Sequence, residues 1–596
     1  MATHVLQDIP WGFSYPGLRY HSDRKLWIYK GSVLPDALRP FRTDDFSYER
    51  WQEDELTGTV QPTRRGSTLF TPHPHQKEDG KFIYGAYHTN KAGFLLANFT
   101  GTGKTMSALV GVTAIARSEK KSGNFKSERA TLLIVAPKGV MPVWRQTLQS
   151  FPAATEFLRP LIMSYHQLNK LLQPPSQART AKRQRTKNKA TARHGKPIVD
   201  WDYIIFDESH YLKNYPSSTM SVSAANIAQL NTPYQKGKSP FITFATATPG
   251  SSPLNFALMS QFISPLLAAN EGKKLDKPVT VGNWGSFLHS IGFDVREGKV
   301  PGEWSWAPAP WFGKNSDDPK EQAKFKAAEK RAKSNQRRDA VAIGKALKRK
   351  DAPFVMRRPQ DIAGWPEQQT IPLPAELTLK QKPIYEEAWN QFRRFLNLKP
   401  RGADPKGSLA EQLRYRQKSS LIKVEAMIDH VVDSVNNGNQ VFISCEFTET
   451  IDKYREELKK RKILSVEMSG RNVNEREDER IRFQKGEVQV ALCSVVAGIS
   501  LHAEESLPDG SKATSAERIT YIHDIRQNPL DTVQALGRCH RDGKNSLSYF
   551  PYFIDTVDEK VVTNFTNKSA NMKLMTGGSM ESSEEMENMF RQAAAR

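Results

Sequence analysis

FLLANFTGTGKTMSALV, residues 94–110, decides the fold. An apolar run from Phe94 enters the glycine-rich turn Thr100, Gly101, Thr102, Gly103, then leaves through Lys104 and Thr105 into a helix expected to begin near Met106. That order, strand then loop then helix, is the start of an α/β unit. The glycines let backbone N–H groups approach phosphate oxygens, Lys104 can reach the β and γ phosphates, and the Thr105 hydroxyl can serve Mg²⁺. The general pattern asks for glycine where this chain has Asn98. Standing alone, the stretch would therefore compete with a glycine-rich turn of no consequence.

About a hundred residues on, YIIF runs directly into Asp207, Glu208, Ser209 and His210. A carboxylate pair at the C-terminal end of a buried strand suits Mg²⁺ held by Asp207 and a water deprotonated by Glu208. An Asp-Glu pair by itself is ordinary surface chemistry; at this distance from GTGKT the two partial matches support each other. Similar apolar runs recur at TLLIVAP, FITFATATP, QVFISCE, QVALCSV and RITYIHD. Separated by helix-length segments, they read as buried parallel strands in two clusters. The expected fold class is α/β, with two parallel-sheet lobes, a helical insertion and a small N-terminal α+β appendage.

In the second cluster QALGRCHRDG carries Gln534, Gly537, Arg538 and Arg541, with the arginines at i, i+3 on one face of a helical turn. Positive charge on a γ-phosphate in the transition state is worth ~10³ to 10⁵ in rate. Arg538 and Arg541 are the candidates for that role, against two arginines on a solvated helix.

With 596 residues the chain exceeds what one hydrophobic core serves. Lys and Arg number 86 against 64 Asp and Glu, a net +22, which favours a polyanionic partner. Nucleic acid leads over an anionic membrane, because neither an apolar run of spanning length nor a signal-peptide core is visible. A cytoplasmic protein of a bacterium or a virus-infected host cell is expected. Cys445, Cys493 and Cys539 form no C-x-x-C pair and read as buried small residues. His73, His75 and His88 lack partners at ligand spacing.

The expected organisation is an accessory region at 1–65, a first lobe at 66–265, an insertion and linker at 266–420, a second lobe at 421–570 and a tail at 571–596. Within the first lobe, 174–197 is a basic loop with eight Lys or Arg between Arg179 and Lys196 and no acid. It reads equally as a solvated loop or as an arm that touches phosphate. Residues 319–350 read as a long basic, alanine-rich helix.

In order along the chain, these motifs resemble those of superfamily 2 helicases, and of the Swi/Snf-like branch in particular. HPHQ places Gln76 where the family reads the adenine edge, and TGTGKT is similar to motif I. APKGVMPVWRQTL from Ala136 resembles motif Ia, and MSYHQL from Met163 resembles motif Ib. DESHYLKN from Asp207 resembles the motif II form ending in Leu-Lys-Asn, and ATATP from Ala245 resembles motif III. FVMRRP from Phe354 is similar to the segment entering the second lobe. FISCEFTETI, SVVAGISL and NPLDTVQALGRCHRDGK resemble motifs IV, V and VI.

The resemblance implies two RecA-like lobes that close on ATP and Mg²⁺. Lys104, Thr105, Asp207, Glu208 and Gln76 would act from one lobe, and Gln534, Arg538 and Arg541 from the other. It implies nucleic-acid contacts near Lys138, Ser164 and Gly498, and coupling of nucleotide state to strand contact through His210, Thr246 and Thr248. Motif I reads Asn98, Phe99, Thr100 where the branch has Asp-Glu-Met, and motif III reads Thr-Ala-Thr-Pro where it prefers Gly-Thr-Pro. Both spellings resemble divergent members, including small phage-encoded helicases. The expected activity is ATP-driven movement on double-stranded DNA. A strand-separating helicase acting on DNA or RNA, with single-stranded DNA or RNA as partner, is the first alternative. A catalytically inactive binding module is the second.

Overall fold

The computed structural model describes strands at 2–6, 18–21 and 26–31. It then describes residues 71–124, 129–172, 196–247, 249–298, 302–307, 318–357, 361–362, 369–398, 405–494, 499–507, 509–524, 526, 529–540, 544, 546–553, 556 and 575. Most of the basic loop, the tail beyond 575, and Thr248, Gly498 and Arg541 lie outside these residues.

The chain divides into two compact units, one holding residues 1–99, 103–357 and 571–578, the other residues 100–102, 358–570 and 579–596. At the N-terminus, β1 (Ala2–Leu6), β2 (Leu18–His21) and β3 (Leu26–Gly31) form an antiparallel sheet in the order β1-β3-β2.

The first unit is built on β4 (Gly93–Leu96), β5 (Ala130–Ala136), β6 (Leu158–Ser164), β7 (Tyr203–Asp207) and β8 (Phe241–Ala245). An antiparallel pair follows, β9 (Val295–Glu297) and β10 (Trp304–Trp306), and then β11 (Phe354–Val355) returns to the main sheet. The sheet order is β11-β4-β8-β7-β5-β6, parallel throughout. Its strands are apolar on both faces because both are covered. Leu95, Leu133, Ile204 and Phe244 face one core; Phe94, Leu132, Ile205 and Phe241 face the other. Helices Pro74–His88 and Lys104–Lys121 cover the second face through Ile83, Leu109 and Val112. The insertion between β8 and β11 covers the first face. Its helices Ser260–Asn270, Trp284–Ser290 and Pro319–Leu347 place Ile263, Trp284 and Ile343 in that core.

The second unit repeats the plan with β12 (Gln369–Ala375), β13 (Gln440–Ser444), β14 (Ser465–Met468), β15 (Val490–Cys493), β16 (Arg518–Ile522) and β17 (Ser546–Phe553). The order is β12-β17-β16-β13-β15-β14, again parallel. Phe442, Met468 and Ile522 pack on one face, and Val441, Ile443 and Tyr521 on the other beneath helix Thr448–Lys460. The three cysteines are free and buried, as small apolar residues are. These two parallel-sheet α/β lobes are the fold class expected from the sequence. Among the described residues no helix is long and apolar enough to cross a membrane.

Candidate nucleotide site

The phosphate loop follows β4. Gly101 and Gly103 take φ of 87° and 78°, the left-handed region that glycine enters without strain. A Cβ on Gly103 would collide with the Gln76 side-chain amide, so this position needs glycine for space as well. Gln76 is itself fixed, its Oε1 accepting from His73 N at 2.9 Å. Helix Lys104–Lys121 begins on the loop, so its positive end and its unpaired N–H groups lie where a phosphate is favoured. The Lys104 ammonium donates to the carbonyls of Asn98 at 3.0 Å and Phe99 at 3.2 Å, folding back over the loop.

The residue that replaces the usual glycine has a structural role of its own. Asn98 is buried; its Nδ2 donates to Asp79 Oδ2 at 2.6 Å, and its Oδ1 accepts from Arg357 N at 2.8 Å. Arg357 Nε reaches Asp79 Oδ1 at 2.7 Å, and Ser107 Oγ reaches Asp79 Oδ2 at 2.8 Å. Asp79 is 0% exposed, so the carboxylate is compensated by a guanidinium, an amide and a hydroxyl rather than by water. Arg357 is the last residue of the first unit before the chain passes to Arg358. The sequence marked FVMRRP but gave no hint of this partner.

At the end of β7, Asp207 is buried and doubly held. Trp144 Nε1 donates to Oδ2 at 2.7 Å, and Glu208 N to Oδ1 at 2.9 Å. The Tyr165 hydroxyl donates to the Asp207 carbonyl at 2.6 Å. Burial and then the Glu208 carboxylate push Asp207 up to about 6, against the Trp144 N–H and the Lys104 ammonium, which pull it down. Trp144 and Tyr165 come from the segments similar to motifs Ia and Ib, yet each uses its polar tip on the carboxylate strand. Aromatic residues with a buried N–H or O–H need such a partner; the motif resemblance marked their segments, and only that need pointed to these bonds.

Glu208 stands at φ 50°, a left-handed backbone that turns the chain sharply off the strand. Its Oε2 lies 3.3 Å from His210 Nδ1, and the same nitrogen lies 3.2 Å from Thr246 Oγ1 just beyond β8. His210 and Thr246 are both buried. The end of β7 and the end of β8 are thus joined through one imidazole.

Of the remaining positions, Lys138 is exposed on a short turn after β5. Ser164 is buried, and its hydroxyl donates to Gln167 Oε1 at 3.0 Å in a capping box, so its side chain is spent within the protein. In the second unit Gln534 and Arg538 are buried near the end of helix Pro529–Leu536, and Arg538 Nη1 donates to Ile499 O at 2.8 Å. At the strand ends Arg526 Nη2 ties Cys445 O at 2.9 Å to Ser494 O at 2.7 Å. Asp524 accepts from Glu446 N at 2.8 Å; despite its burial, His523 and Lys423 beside it hold it below the usual carboxylate range.

The first unit therefore brings together Gln76, Gly103, Lys104, Thr105, Asp207, Glu208, His210 and Thr246. Chemically this is a cradle for a phosphate chain with a carboxylate base beside it. Thr105 and Asp207 offer hard oxygen donors, and both Asp207 oxygens keep a second lone pair free of their present partners, which suits a divalent cation that takes its other ligands from phosphate and water.

Comparison with known proteins agrees with this chemistry. A family model for an SNF2-related domain matches residues 75–235, and one for the helicase conserved C-terminal domain matches residues 422–543. The protein Switch 2 of Arabidopsis thaliana is 26% identical over 149 residues, 24% of this chain and 17% of that protein's length. Two structures of the Sulfolobus solfataricus SWI2/SNF2 ATPase core, one in complex with dsDNA, align at 14% and 15% identity. They cover 90% and 85% of this chain and 99% and 90% of theirs, with a TM-score of 0.29 in both cases, too slight a likeness in shape to add to the domain matches. With both domains in order along one chain, the protein belongs with the helicase-type ATPases of superfamily 2, in their Swi/Snf-like branch.

Proposed function

We propose that this ATPase is a translocase on double-stranded DNA, using Mg²⁺·ATP. The observation that carries the reading is the chain of contacts Glu208, His210, Thr246, which links the position of a catalytic base to the strand end bearing the motif III resemblance. A general base that shares an imidazole with a neighbouring strand can report its state of engagement to that strand, and this is what an ATP-driven motor requires.

In this reading Lys104 and the N–H groups of Thr100, Gly101, Thr102 and Gly103 bind the phosphates, and Gln76 meets the base. Thr105 and Asp207 hold Mg²⁺, which supplies charge neutralisation on the phosphates. Glu208 orients and deprotonates the attacking water. Arg538 and Arg541, with Gln534 beside them, contribute positive charge in the transition state. The segments around Lys138, Ser164 and Gly498 contact the phosphate backbone, and of the two described residues among these Lys138 is exposed and Ser164 buried.

The SNF2-related match over 75–235 favours duplex movement over strand separation. The test is displacement of a third strand from a triplex-bearing duplex. ATP-dependent displacement without unwinding of a forked duplex is expected; unwinding of the fork without triplex displacement would move the assignment to a strand-separating helicase.

A further inference from the structure

Helix Pro319–Leu347 is anchored at one end only. From Asp339 onward one face of it is buried, with Ala340, Ile343 and Leu347 in the core. Asp339 Oδ2 accepts from Trp306 Nε1 at 3.0 Å and from Asp294 N at 2.9 Å, which fixes the root of the helix. Residues 319–338 contain no buried position. Asn335 Nδ2 still reaches Asp294 Oδ2 at 2.8 Å, so the arm beyond that tie, 319–334, extends about 24 Å at 1.5 Å per residue.

The arm is basic in a regular way. Lys320, Lys324, Arg331 and Arg338 recur at spacings that put them on one stripe of the helix, and Lys326, Lys330, Lys333 and Arg337 on a second. All eight are exposed, and the only acids among them are Glu321 and Glu329. Among the described residues only Lys333, 3.6 Å from Glu329, and Arg338, on Asp339, stand against a carboxylate. Lys320 with Lys324, Lys326 with Lys330, and Lys333 with Arg337 are like charges at i, i+4, a spacing that weakens a helix. An exposed arm that repels itself and meets so few carboxylates among the described residues is relieved by an external polyanion.

We propose that this arm is a nucleic-acid docking surface that grips the phosphate backbone without reading sequence. The proposal rests on the nucleic-acid-dependent ATPase reading and adds a contact that none of the helicase-like motifs contains. An anionic membrane is the weaker partner, because surface-lying helices need a broad apolar face, and Phe325, half-buried, is the only large apolar residue between 319 and 338.

The test compares the full chain with a variant carrying Lys324→Gln, Lys326→Gln, Lys330→Gln and Arg331→Gln. A control carries Lys121→Gln, Lys274→Gln, Lys277→Gln and Lys459→Gln, exposed lysines elsewhere. Binding of a fluorescent duplex is followed across salt concentrations, with nucleic-acid-free ATP hydrolysis and thermal melting alongside. The arm variant is expected to bind at least about tenfold more weakly near 0.1 M salt, with a salt slope shallower by about 2 to 4 units. Its basal hydrolysis should be unchanged and its melting temperature no lower, since repulsion has been removed. Affinity and slope equal to the parent's, or a loss no larger than the control's, would overturn the proposal, as would loss of binding to anionic vesicles with duplex binding intact. If the parent binds no nucleic acid at all, the underlying reading fails and the proposal with it; a parent that binds beside a variant that binds equally fails the arm alone.

Discussion

Trp144 donates its buried indole N–H to Asp207 Oδ2 at 2.7 Å, joining the helix after β5 to the carboxylate at the end of β7. The bond orients the oxygen pair without occupying it fully. Trp144→Phe keeps an aromatic ring and removes the donor, leaving a small cavity where the larger indole sat. Loss of such a supporting bond typically weakens metal binding about 10- to 100-fold. The Mg²⁺ concentration needed for half-maximal ATP hydrolysis should therefore rise by about that factor with folding intact. An unchanged Mg²⁺ dependence would make Trp144 a core residue only.

His210 shares Nδ1 between Glu208 and Thr246. Thr246→Val removes the hydroxyl and keeps the shape. Basal hydrolysis is expected to stay within a few-fold of the parent while stimulation by nucleic acid falls at least about tenfold. Equal loss of both rates would place Thr246 in the chemistry rather than in coupling.

The Arg357–Asp79 pair, 2.7 Å apart with Asp79 fully buried, holds Asn98 at the start of the phosphate loop. Breaking a buried pair from one side costs about 3 to 5 kcal/mol, because the other charge is stranded. Arg357→Ala should therefore unfold at markedly lower denaturant. The double variant Asp79→Asn with Arg357→Ala should be less destabilised than the two single costs added together, by at least about 1 kcal/mol. Strict additivity in equilibrium unfolding would contradict the pairing.

Asp207 is raised from 3.8 to about 6. Below pH 3.8 both folded and unfolded chains hold the proton, so the residue costs nothing there. Between 3.8 and 6 the folded chain alone retains it and stability falls as pH rises; above 6 the full cost of a buried carboxylate is present. In the absence of divalent metal, Asp207→Asn should therefore raise the melting temperature at pH 8 more than at pH 4. An equal shift at both pH values would contradict the raised carboxyl.

The readable part of this site was its local part. Gly103, Lys104 and Thr105 must be contiguous because one turn of backbone wraps a phosphate, and Asp207 and Glu208 must follow an apolar strand because the sheet delivers them. The parallel strands were legible for the same reason, since burial on both faces leaves no polar alternation. The supporting bonds were not, because they join residues 63 positions apart for Trp144 and Asp207, and 278 apart for Arg357 and Asp79. Ser164 shows the converse. Its motif placed it near a nucleic-acid track, yet its Ser-x-x-Gln spacing to Gln167 is also a capping-box signature, and in the folded turn the hydroxyl goes to Gln167.

The most direct measurement is steady-state ATP hydrolysis by the full chain without nucleic acid and with duplex DNA, single-stranded DNA or RNA, run beside Lys104→Ala and Glu208→Gln. Hydrolysis stimulated chiefly by duplex DNA, with both variants reduced at least about 10²-fold yet still binding duplex, is the predicted result. Stimulation confined to single strands or RNA, or near-normal turnover by either variant, would contradict the account.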